Sequence, residues 1–256
     1  MPGWPFRRGP GGHPDEFWFD PATADPEGLV GAGGTLAPGT LRRAYRAGVF
    51  PWFNEGDPIL WWSPDPRAVI ELDGLHVSRR LARTIRSGKF RTTVDRAFEA
   101  VMRGCAENRA EGTWVIPEMI DAYTALHREG DAHSIEVWGI RETPPPPLDL
   151  GPPPETREDW DRDVERIMLH GWELVGGIYG VAAGGLFAGE SMFHRKTDAS
   201  KVALVTLVEH LKARGFVLFD VQMTTEHTTR MGAVNIPRAE YLERLAVAVR
   251  MTDVRF

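Results

Sequence analysis

The sequence has one cysteine and no long apolar segment, and each absence restricts the kind of protein it can encode. Cys105 alone cannot form an internal disulfide, which is typical of a reducing compartment. No apolar run approaches the ~20 residues that a membrane-spanning helix needs. The two arginines near the start are not followed by the apolar stretch of a signal peptide. We therefore expect a cytoplasmic protein that does not contact a membrane, and we expect it to be monomeric.

An excess of basic charge is also missing, since the formal net charge is −6 and the sequence pI is near 5.8. Nucleic-acid binding needs basic surface for phosphate contacts, so the average charge argues against it. The charge is unevenly distributed, however. Residues 79–91 hold six basic residues and no acid, whereas residues 155–166 hold six acids against three arginines. The sequence thus predicts one basic patch on an otherwise acidic protein.

Hydrophobic periodicity predicts a regular series of strands and helices from about residue 90 onward. The predicted strands are 90–94, 133–140, the two halves of 173–193 on either side of a turn at 183–185, and 216–222. The predicted helices are 38–47, 95–107, 117–129, one that Asp198 caps and Gly215 ends, and 238–249. From residue 90 the order is strand, helix, helix, three-stranded meander, helix, strand and helix, which is the order of GNAT-type acyltransferase domains.

The predicted fold class is α+β: a GNAT-like domain, with a mixed sheet and flanking helices, preceded by a small N-terminal domain. We place the N-terminal domain, with its Trp- and Pro-rich aromatic loop, at 1–68 and the catalytic domain at 69–256. A Pro-rich insertion at 141–171 interrupts the meander, and within it 156–169 predicts a short helix that docks through an apolar stripe. We interpret it as a surface insertion rather than as a partner site.

Polar side chains in two buried strand patterns are the first candidates for a functional site. Asp220 and Gln222 are two residues apart in the apolar segment 216–222, so strand alternation places both on one face. Buried polar groups need hydrogen-bond partners or a ligand. From the residues alone, Asp220 and Gln222 could equally be hydrogen-bonded to neighbouring backbone or belong to a functional site. Glu190, at the end of a meander strand, has the same two interpretations.

A series of motifs resembles the leucyl/phenylalanyl-tRNA–protein transferases. The motifs are GGTLAPGTLRRAYRAGVFPWF (33–53), DPILWWSPDPRAVI (57–70), EGTWVIPEMIDAY (111–123), AHSIEVW (132–138), GIYGVAAGGLFAGESMFHRKTDASKVAL (177–204) and DVQMTTEHTTRMGAVNIPRAEYL (220–242). The insertion and the short C-terminus depart from the family pattern without touching them. The resemblance implies transfer of Leu or Phe, and of Met less well, from aminoacyl-tRNA to proteins with N-terminal Arg or Lys, which marks them for N-end-rule degradation. It implies no metal and no organic cofactor.

The resemblance also implies that Glu190, Asp220 and Gln222 form the active site. The aminoacyl ester is already activated and the attacking α-amine has a reference pKa of ~7.7–8.0, so alignment matters more than a strong base. We interpret Gln222 as the acceptor that orients the amine, and Asp220 and Glu190 as carboxylates suited to a cationic substrate. A relay through Asp220 and Gln222, suggested for the family, is the alternative.

An apolar, aromatic-lined pocket suits a Leu or Phe side chain. Beside the resemblance, Trp52 and Trp114 are the best candidates for its walls. Phe187, Ile178 and Leu211 are further candidates, although their residue types alone favour ordinary core packing. We interpret the Trp61-Trp62 pair as structural.

The basic segment has a helical geometry after Ser78, at about 100° per residue. Its basic face consists of Arg79, Arg83 and Arg86. Its apolar face consists of Leu81 and Ile85. Such a face alone is usually only solvated. The resemblance makes it the tRNA contact, with Lys89 compensating for Ser87, where family members are basic. We expect recognition of backbone and shape rather than of bases.

Two other functions stay open on the sequence. An acyl-CoA acyltransferase would share the element order, but the connection MFHRKTDASK (192–201) has no glycine to bring backbone amides close to a pyrophosphate. A non-enzymatic adaptor for basic N-termini would explain Asp220 and Glu190, but not the tryptophans or the arginine face. Cys105 lies on an apolar helical stripe and predicts a buried thiol. His127 and His133 have no metal-ligand spacing, so we interpret them as structural.

Overall fold

The computed structural model describes residues 19–107, 113–143 and 169–256, together with residues 147, 149 and 166. The strands of these residues are Leu29–Ala32 (β1), Phe50–Pro51 (β2), Leu60–Trp62 (β3), Arg67–Ile70 (β4), Phe90–Val94 (β5), Ala132–Ile140 (β6), Trp172–Ala183 (β7), Leu186–His194 (β8), Leu218–Gln222 (β9) and Ala233–Ile236 (β10). The helices are Pro38–Arg46 (α1), Arg79–Arg86 (α2), Phe98–Ala106 (α3), Pro117–Arg128 (α4), Ala199–Ala213 (α5), Glu226–Arg230 (α6) and Arg238–Ala248 (α7), with a 3-10 turn at Pro21–Thr23.

Two sheets organise these elements. The smaller sheet has the strand order β1-β3-β2, and the larger has the order β10-β4-β9-β8-β7-β6-β5. Neighbouring strands of the larger sheet are antiparallel except β8 and β9, which are parallel because α5 connects them across the sheet. The predicted class, α+β with a mixed sheet and flanking helices, is confirmed.

Helices cover both faces of the larger sheet. The amphipathic helix α5 buries its apolar side against one face, and the predicted stripe there consists of Ala203, Leu204, Leu207, Val208 and Leu211. The helices α3 and α4 pack on the other face, where Met102 and Tyr123 are fully buried. Each β strand of the meander therefore sends alternate side chains into two separate cores, as the period-2 geometry of a strand requires.

The N-terminal segment joins the core on the α3–α4 side. Leu41 and Tyr45 of α1 and Trp61 of β3 are buried in the same cluster as Tyr123. The Trp61 indole donates to the carbonyl oxygen of Gly33 at 2.8 Å, which fits its structural interpretation. Residues from this segment can thus reach the larger sheet. The division into domains at 1–68 and 69–256 stays a prediction.

The parallel pair β8 and β9 is short and then opens. Its register pairs Leu186 with Leu218 and ends where Ala188 pairs with Asp220. Beyond that point β8 continues to His194 while β9 ends at Gln222, and the two strands are no longer paired. The open end between them forms a gap in the middle of the sheet.

Two features differ from the sequence-based expectations. The strands β4 and β10 and the short helix α6 extend the sheet beyond the predicted element order. Asp198 precedes α5 as predicted, but it has φ 72° and its side chain makes no capping hydrogen bond to the helix backbone. Its carboxylate instead contacts Arg80 at 3.4 Å and Lys201 at 3.3 Å, because two cations compete for it. The helix predicted at 156–169 lies mostly outside the described residues.

Candidate active site

A cavity of about 500 Å³ occupies the gap between β8 and β9. Most of its wall is apolar, formed by residues that include Phe50, Trp52, Ile70, Trp114, Ile178 and Leu204. Glu190 and Gln222 face it from the two diverging strands. Among the described residues that line the cavity, Glu190 is the acidic one. The cavity therefore combines an apolar volume with a carboxyl and an amide at one wall.

A β-bulge places Glu190 at this wall. Tyr179 of β7 pairs with Ser191 and the next residue, Gly180, pairs with Gly189, so Glu190 has no partner on the neighbouring strand. A bulge of this kind redirects a side chain and bends the strand. Gly180 is required there, because an added Cβ would lie 2.2 Å from the carbonyl oxygen of Ala188. The divergence of β8 from β9 is built into this pairing.

A second irregularity sets the position of Gln222. Ala68 of β4 pairs with Gln222 while Val69 pairs with Asp220, which leaves Val221 unpaired. Gln222 itself has φ 57°, a left-handed conformation that is unfavourable for a residue with a Cβ. Strict alternation therefore does not describe this stretch. The Gln222 side-chain amide donates to Glu190 Oε1 at 2.9 Å, so the structure brings these two candidates together.

Asp220 lies behind the cavity wall rather than in it. Its side chain is 1% exposed and its two carboxylate oxygens accept from Arg67 Nε at 2.9 Å and from the Arg67 terminal nitrogen at 2.6 Å. Tyr241 donates a further hydrogen bond to it at 2.9 Å. The backbone N–H of Gln222 also donates to Asp220, at 2.9 Å. Asp220 thus fixes the strained backbone of Gln222 from beneath.

The charge of Asp220 is matched by Arg67 inside the protein. Burial by itself would lower the pKa of Arg67, but Asp220 and Tyr241 raise it above its ordinary value, so the guanidinium is charged. Arg67 also donates to the carbonyl oxygen of Gly48 at 3.0 Å. A buried pair with this many hydrogen bonds holds its geometry, although it is not a large source of net stability.

Among the residues that the structure describes, no cation contacts the Glu190 carboxyl directly. Burial raises the pKa of the Glu190 carboxyl to about 8; a hydrogen bond with Tyr45 lowers it, the negative charge of Asp220 raises it, and Arg67 and Tyr123 lower it. Near neutral pH the carboxyl therefore exchanges between its neutral and charged forms. The sequence predicts Glu190 as a carboxylate suited to a cationic substrate, and its buried surroundings add a neutral form near the working pH.

Three of the five predicted pocket residues line the cavity: Trp52, Trp114 and Ile178. Trp52 is 41% exposed and lies at the opening. Phe187 and Leu211 do not line it, and this corrects the expectation that they do. Both are fully buried in the α5-side core, where Phe187 packs against Phe219 at 6.0 Å between ring centroids. Each belongs to an apolar strand or helix face directed into the core, which takes it away from the gap.

Comparisons with known proteins bear on this site. A family model described as leucyl/phenylalanyl-tRNA protein transferase matches residues 69–143 and 164–246, and the model of the same transferase's N-terminal domain matches residues 34–65. The chain belongs to this family. The unmatched stretch between residues 143 and 164 falls inside the predicted Pro-rich insertion.

Curated relatives agree with the family model. A protein named leucyl/phenylalanyl-tRNA–protein transferase from Anaeromyxobacter sp. (strain Fw109-5) is 48% identical over 246 residues, covering 94% of this chain and 92% of the relative. A protein of the same name from Magnetococcus marinus is 48% identical over 233 residues, covering 90% and 88%. Among solved structures, the crystal structure of FemX matches with 13% identity and a TM-score of 0.43, covering 77% of this chain and 66% of that one.

Sequence reasoning missed three residues of this family member's site: Arg67, Tyr45 and Tyr123. Arg67 begins β4, a strand that is otherwise apolar and buried, and a charged residue in such a strand indicates a buried partner. Tyr45 and Tyr123 were visible only as apolar positions of two helices. Their hydroxyl groups meet through tertiary packing of α1 against α4, which no local pattern shows.

The predicted arginine face is present on α2. The Ser78 hydroxyl accepts from the backbone N–H of Leu81 at 3.2 Å and caps the helix. Leu81 is buried and Ile85 packs against the α5-side core, whereas the opposite face is exposed. That face consists of Arg79, Arg83, Arg86 and, just beyond the helix, Lys89. Its predicted contact with tRNA stays a prediction.

A cluster of Asp95, His127 and His133 has three groups that could bind a metal ion. His133 has oxygen atoms on both ring nitrogens: Asp95 at 2.7 Å and the carbonyl of Gly130 at 3.1 Å. His127 Nδ1 contacts the carbonyl of Ala132 at 2.7 Å, and its ring stacks on Phe98. These contacts join the end of α4 to β6, which agrees with the structural interpretation of both histidines. Cys105 is fully buried, as predicted.

Proposed function

We propose that this protein transfers Leu or Phe, and Met less well, from aminoacyl-tRNA to the N-terminal Arg or Lys of acceptor proteins, marking them for N-end-rule degradation. The proposal rests mainly on one observation: Trp52, Trp114, Glu190 and Gln222 all line the same cavity. Residues matched by each of the two family models line this cavity. In this proposal the protein acts as a cytoplasmic monomer, and no cofactor is required. Within the described part of the chain, no helix has the length and apolar character to cross a membrane.

The cavity chemistry supports the two substrates. The largely apolar wall suits a Leu or Phe side chain. The Glu190 carboxyl suits the cationic N-terminus of the acceptor. Because Nε2 of Gln222 is bound by Glu190, its amide oxygen is left to accept a hydrogen bond from the attacking amine. Asp220 acts through Gln222, whose backbone N–H it holds.

The position of α2 supports a path for the tRNA. Arg80 of α2 contacts Asp198, and Asp198 also contacts Lys201 of α5. The neighbouring residue Ser200 lines the cavity. The exposed arginine face and the cavity are thus linked through the start of α5. A tRNA body on the basic face and its aminoacylated 3′ end in the cavity would fit this arrangement, with recognition through the backbone.

The rival acyl-CoA activity has less support. A CoA pyrophosphate would need backbone amides at the start of α5, where Asp198 places a largely buried carboxylate. An anion there would meet negative charge, although Arg80 and Lys201 offset part of it. No residue of the described cavity wall favours that function over the proposed one.

One experiment decides between the two functions. The protein is incubated with radiolabelled Leu-tRNA and a protein whose N-terminus is Arg, and label on the acceptor is measured. The same acceptor with N-terminal Gly and a parallel reaction with acyl-CoA are the controls. Label on the Arg acceptor supports the proposal. Failure to transfer from Leu-tRNA, together with transfer from acyl-CoA, would overturn it.

Replacing Trp114 or Trp52 by Ala should weaken binding of the donor's amino-acid side chain more than it weakens binding of the tRNA body. The lost aromatic wall removes apolar contact worth about 1.5–3 kcal/mol per large side chain, so KM for Leu-tRNA and Phe-tRNA should rise about tenfold or more. Binding of uncharged tRNA should change less than twofold. Competition with aminoacyl-adenosine analogues measures the difference, and Trp62→Phe is a control because Trp62 packs beside Trp52 outside the cavity lining. Equal analogue affinity in the wild type and both Ala variants would place the pocket elsewhere.

Removing the arginine face should change the salt dependence of tRNA binding. In the triple variant Arg79→Ala, Arg83→Ala and Arg86→Ala, the slope of log K against log salt should be flatter by about 2 units, because each lost phosphate contact contributes roughly 0.7–0.9. A minimal aminoacyl-adenosine donor should still react at close to the wild-type rate, since α2 does not line the cavity. Filter binding across a salt series measures the slope.

A second triple variant removes the same charge from other exposed helix and terminal positions: Arg103, Arg128 and Arg250, each changed to Ala. Its salt slope should stay near that of the wild type. Equal slopes in the α2 variant and the wild type would move the tRNA site off this helix.

A further inference from the structure

Two tyrosines from separate helices converge behind Glu190. Tyr45 of α1 and Tyr123 of α4 are buried, and their hydroxyl groups form a short hydrogen bond with one another. Both hydroxyls lie close enough to the Glu190 carboxyl to interact with it and to change its pKa. Glu190 therefore has the tyrosine pair on one side and the cavity on the other, while its Oε1 accepts from Gln222.

The tyrosines can act only as neutral donors in this position. Burial, followed by the charge of Glu190, raises the pKa of both hydroxyls well above the ordinary value. A phenol that stays protonated can donate one hydrogen bond, and donation to a carboxylate favours its charged form. With two hydroxyls and one shared hydrogen bond between them, one proton is left to donate to Glu190. The pair thus opposes the effect that burial has on this carboxyl.

The other charged and titratable groups around Glu190 come from the strands β4, β7 and β9, from the end of β8 and from the helix α6. Arg67 of β4 favours the charged form of Glu190, and Asp220 of β9 opposes it. Tyr179 of β7 packs edge-on against Tyr123, with ring centroids 5.9 Å apart. His194 and His227 line the same cavity, and burial followed by the charges of Lys201, His194 and Arg230 lowers the pKa of His227.

We infer that Glu190 accepts the proton that the acceptor's α-ammonium must lose, and that Tyr45 and Tyr123 are the positioning residues that keep Glu190 able to accept it. The inference rests on the proposed transfer reaction and assigns roles inside it. The geometry that carries it is a carboxyl at a bulge, open to the cavity on one side and hydrogen-bonded to a buried hydroxyl pair on the other.

The proton balance of the reaction is complete with this assignment. The α-ammonium gives one proton to the Glu190 carboxylate and becomes a neutral amine. The amine nitrogen attacks the ester carbonyl carbon, a C–N bond forms, and the C–O bond to the terminal ribose then breaks. The second proton from the nitrogen goes to the leaving ribose oxygen, which becomes a hydroxyl. Glu190 returns its proton to water before the next turnover.

The carboxyl is suited to this transfer because its proton affinity matches that of the substrate. An α-amine has a reference pKa of ~7.7–8.0, and the pKa of Glu190 is raised to about 8. Proton transfer between groups of similar pKa needs little free energy, and efficient general bases have a pKa near the working pH. An ordinary exposed carboxylate would be too weak a base to accept this proton.

The test is the pH dependence of single-turnover transfer from Phe-tRNA to a peptide with N-terminal Arg. In the double variant Tyr45→Phe with Tyr123→Phe, the acid limb of the rate profile should move up by about one pH unit, since the one hydrogen bond that the pair donates to charged Glu190 is lost. The rate at pH 7 should then fall about tenfold, because one pKa unit is a factor of ten in charged fraction, and the deficit should shrink to about twofold at pH 9, where most of the wild-type carboxyl is charged. Glu190→Gln should lose activity across the range, and the titration of Glu190 with it.

A matched control is Tyr179→Phe, which removes a buried hydroxyl from the same aromatic cluster and should leave the profile unchanged. Near-UV circular dichroism and thermal unfolding establish that each variant is folded. A uniform drop at every pH in the double variant, or an equal shift in Tyr179→Phe, would overturn the inference. Both results leave transfer activity in the wild type intact, so the proposed function would stand while the inference fails.

Discussion

Replacing Arg67 by Met should destabilise the protein by about 3–5 kcal/mol, the usual cost of removing one partner of a buried ion pair. The side chains of Arg67 and Asp220 are 2% and 1% exposed, so the lone carboxylate would have neither water nor a cation in contact. Transfer should also fall by about 10², because a misplacement of about 1 Å in an aligned site has that effect, and Asp220 holds the backbone of Gln222. Urea unfolding and kcat at fixed tRNA concentration measure the two effects.

The double variant Arg67→Met with Asp220→Leu separates stability from activity. Removing both residues leaves no uncompensated buried charge, so much of the lost free energy of unfolding should return. Activity should not return, since the carboxylate that binds the Gln222 N–H is gone. The exposed pair Arg103 and Glu99 is the control, where Arg103→Met should cost no more than about 0.5 kcal/mol. Full activity in Arg67→Met would show that Asp220 needs no buried cation to position Gln222.

Replacing Gln222 by Ala should lower kcat by at least about 10² with little effect on tRNA binding. The Gln222 amide nitrogen donates to Glu190 at the cavity wall, and its amide oxygen is the proposed hydrogen-bond acceptor for the attacking amine. Gln222→Met keeps the length of the side chain without the amide and should be equally impaired. Pre-steady-state transfer measures kcat, and filter binding measures the affinity for tRNA. A variant with wild-type kcat would remove Gln222 from the mechanism.

Gln222→Gly shows whether the strain at this position is linked to function. The residue has φ 57°, where glycine avoids a cost of about 1–2 kcal/mol that other residues bear. Gln222→Gly should therefore be about 1 kcal/mol more stable than Gln222→Ala, and both should be inactive. Equal stability of the two variants would mean that the backbone at residue 222 relaxes out of the left-handed conformation when the side chain is removed.

Local patterns in the sequence were sufficient to predict much of the fold. The apolar stripe of α5, the Ser78 cap of α2 and the meander of β6, β7 and β8 all follow from periodicity and capping, which depend on neighbours a few residues away. The motifs around Glu190 and Gln222 identified the right strands for the same reason. Phe187 and Leu211 show the limit of that reasoning, because an apolar residue type does not reveal whether it faces a core or a cavity.

Tertiary structure alone decided how the site is assembled. Arg67 and Asp220 are 153 residues apart, and Tyr45 and Tyr123 are 78 apart, so each contact depends on how strands and helices pack rather than on any local preference. The bulges at Glu190 and Val221 are properties of strand pairing, because a residue is extra only in relation to the neighbouring strand that it fails to pair with. The proton affinity of Glu190 is likewise set by burial and by charges from other elements, which the order of residues along the chain does not contain.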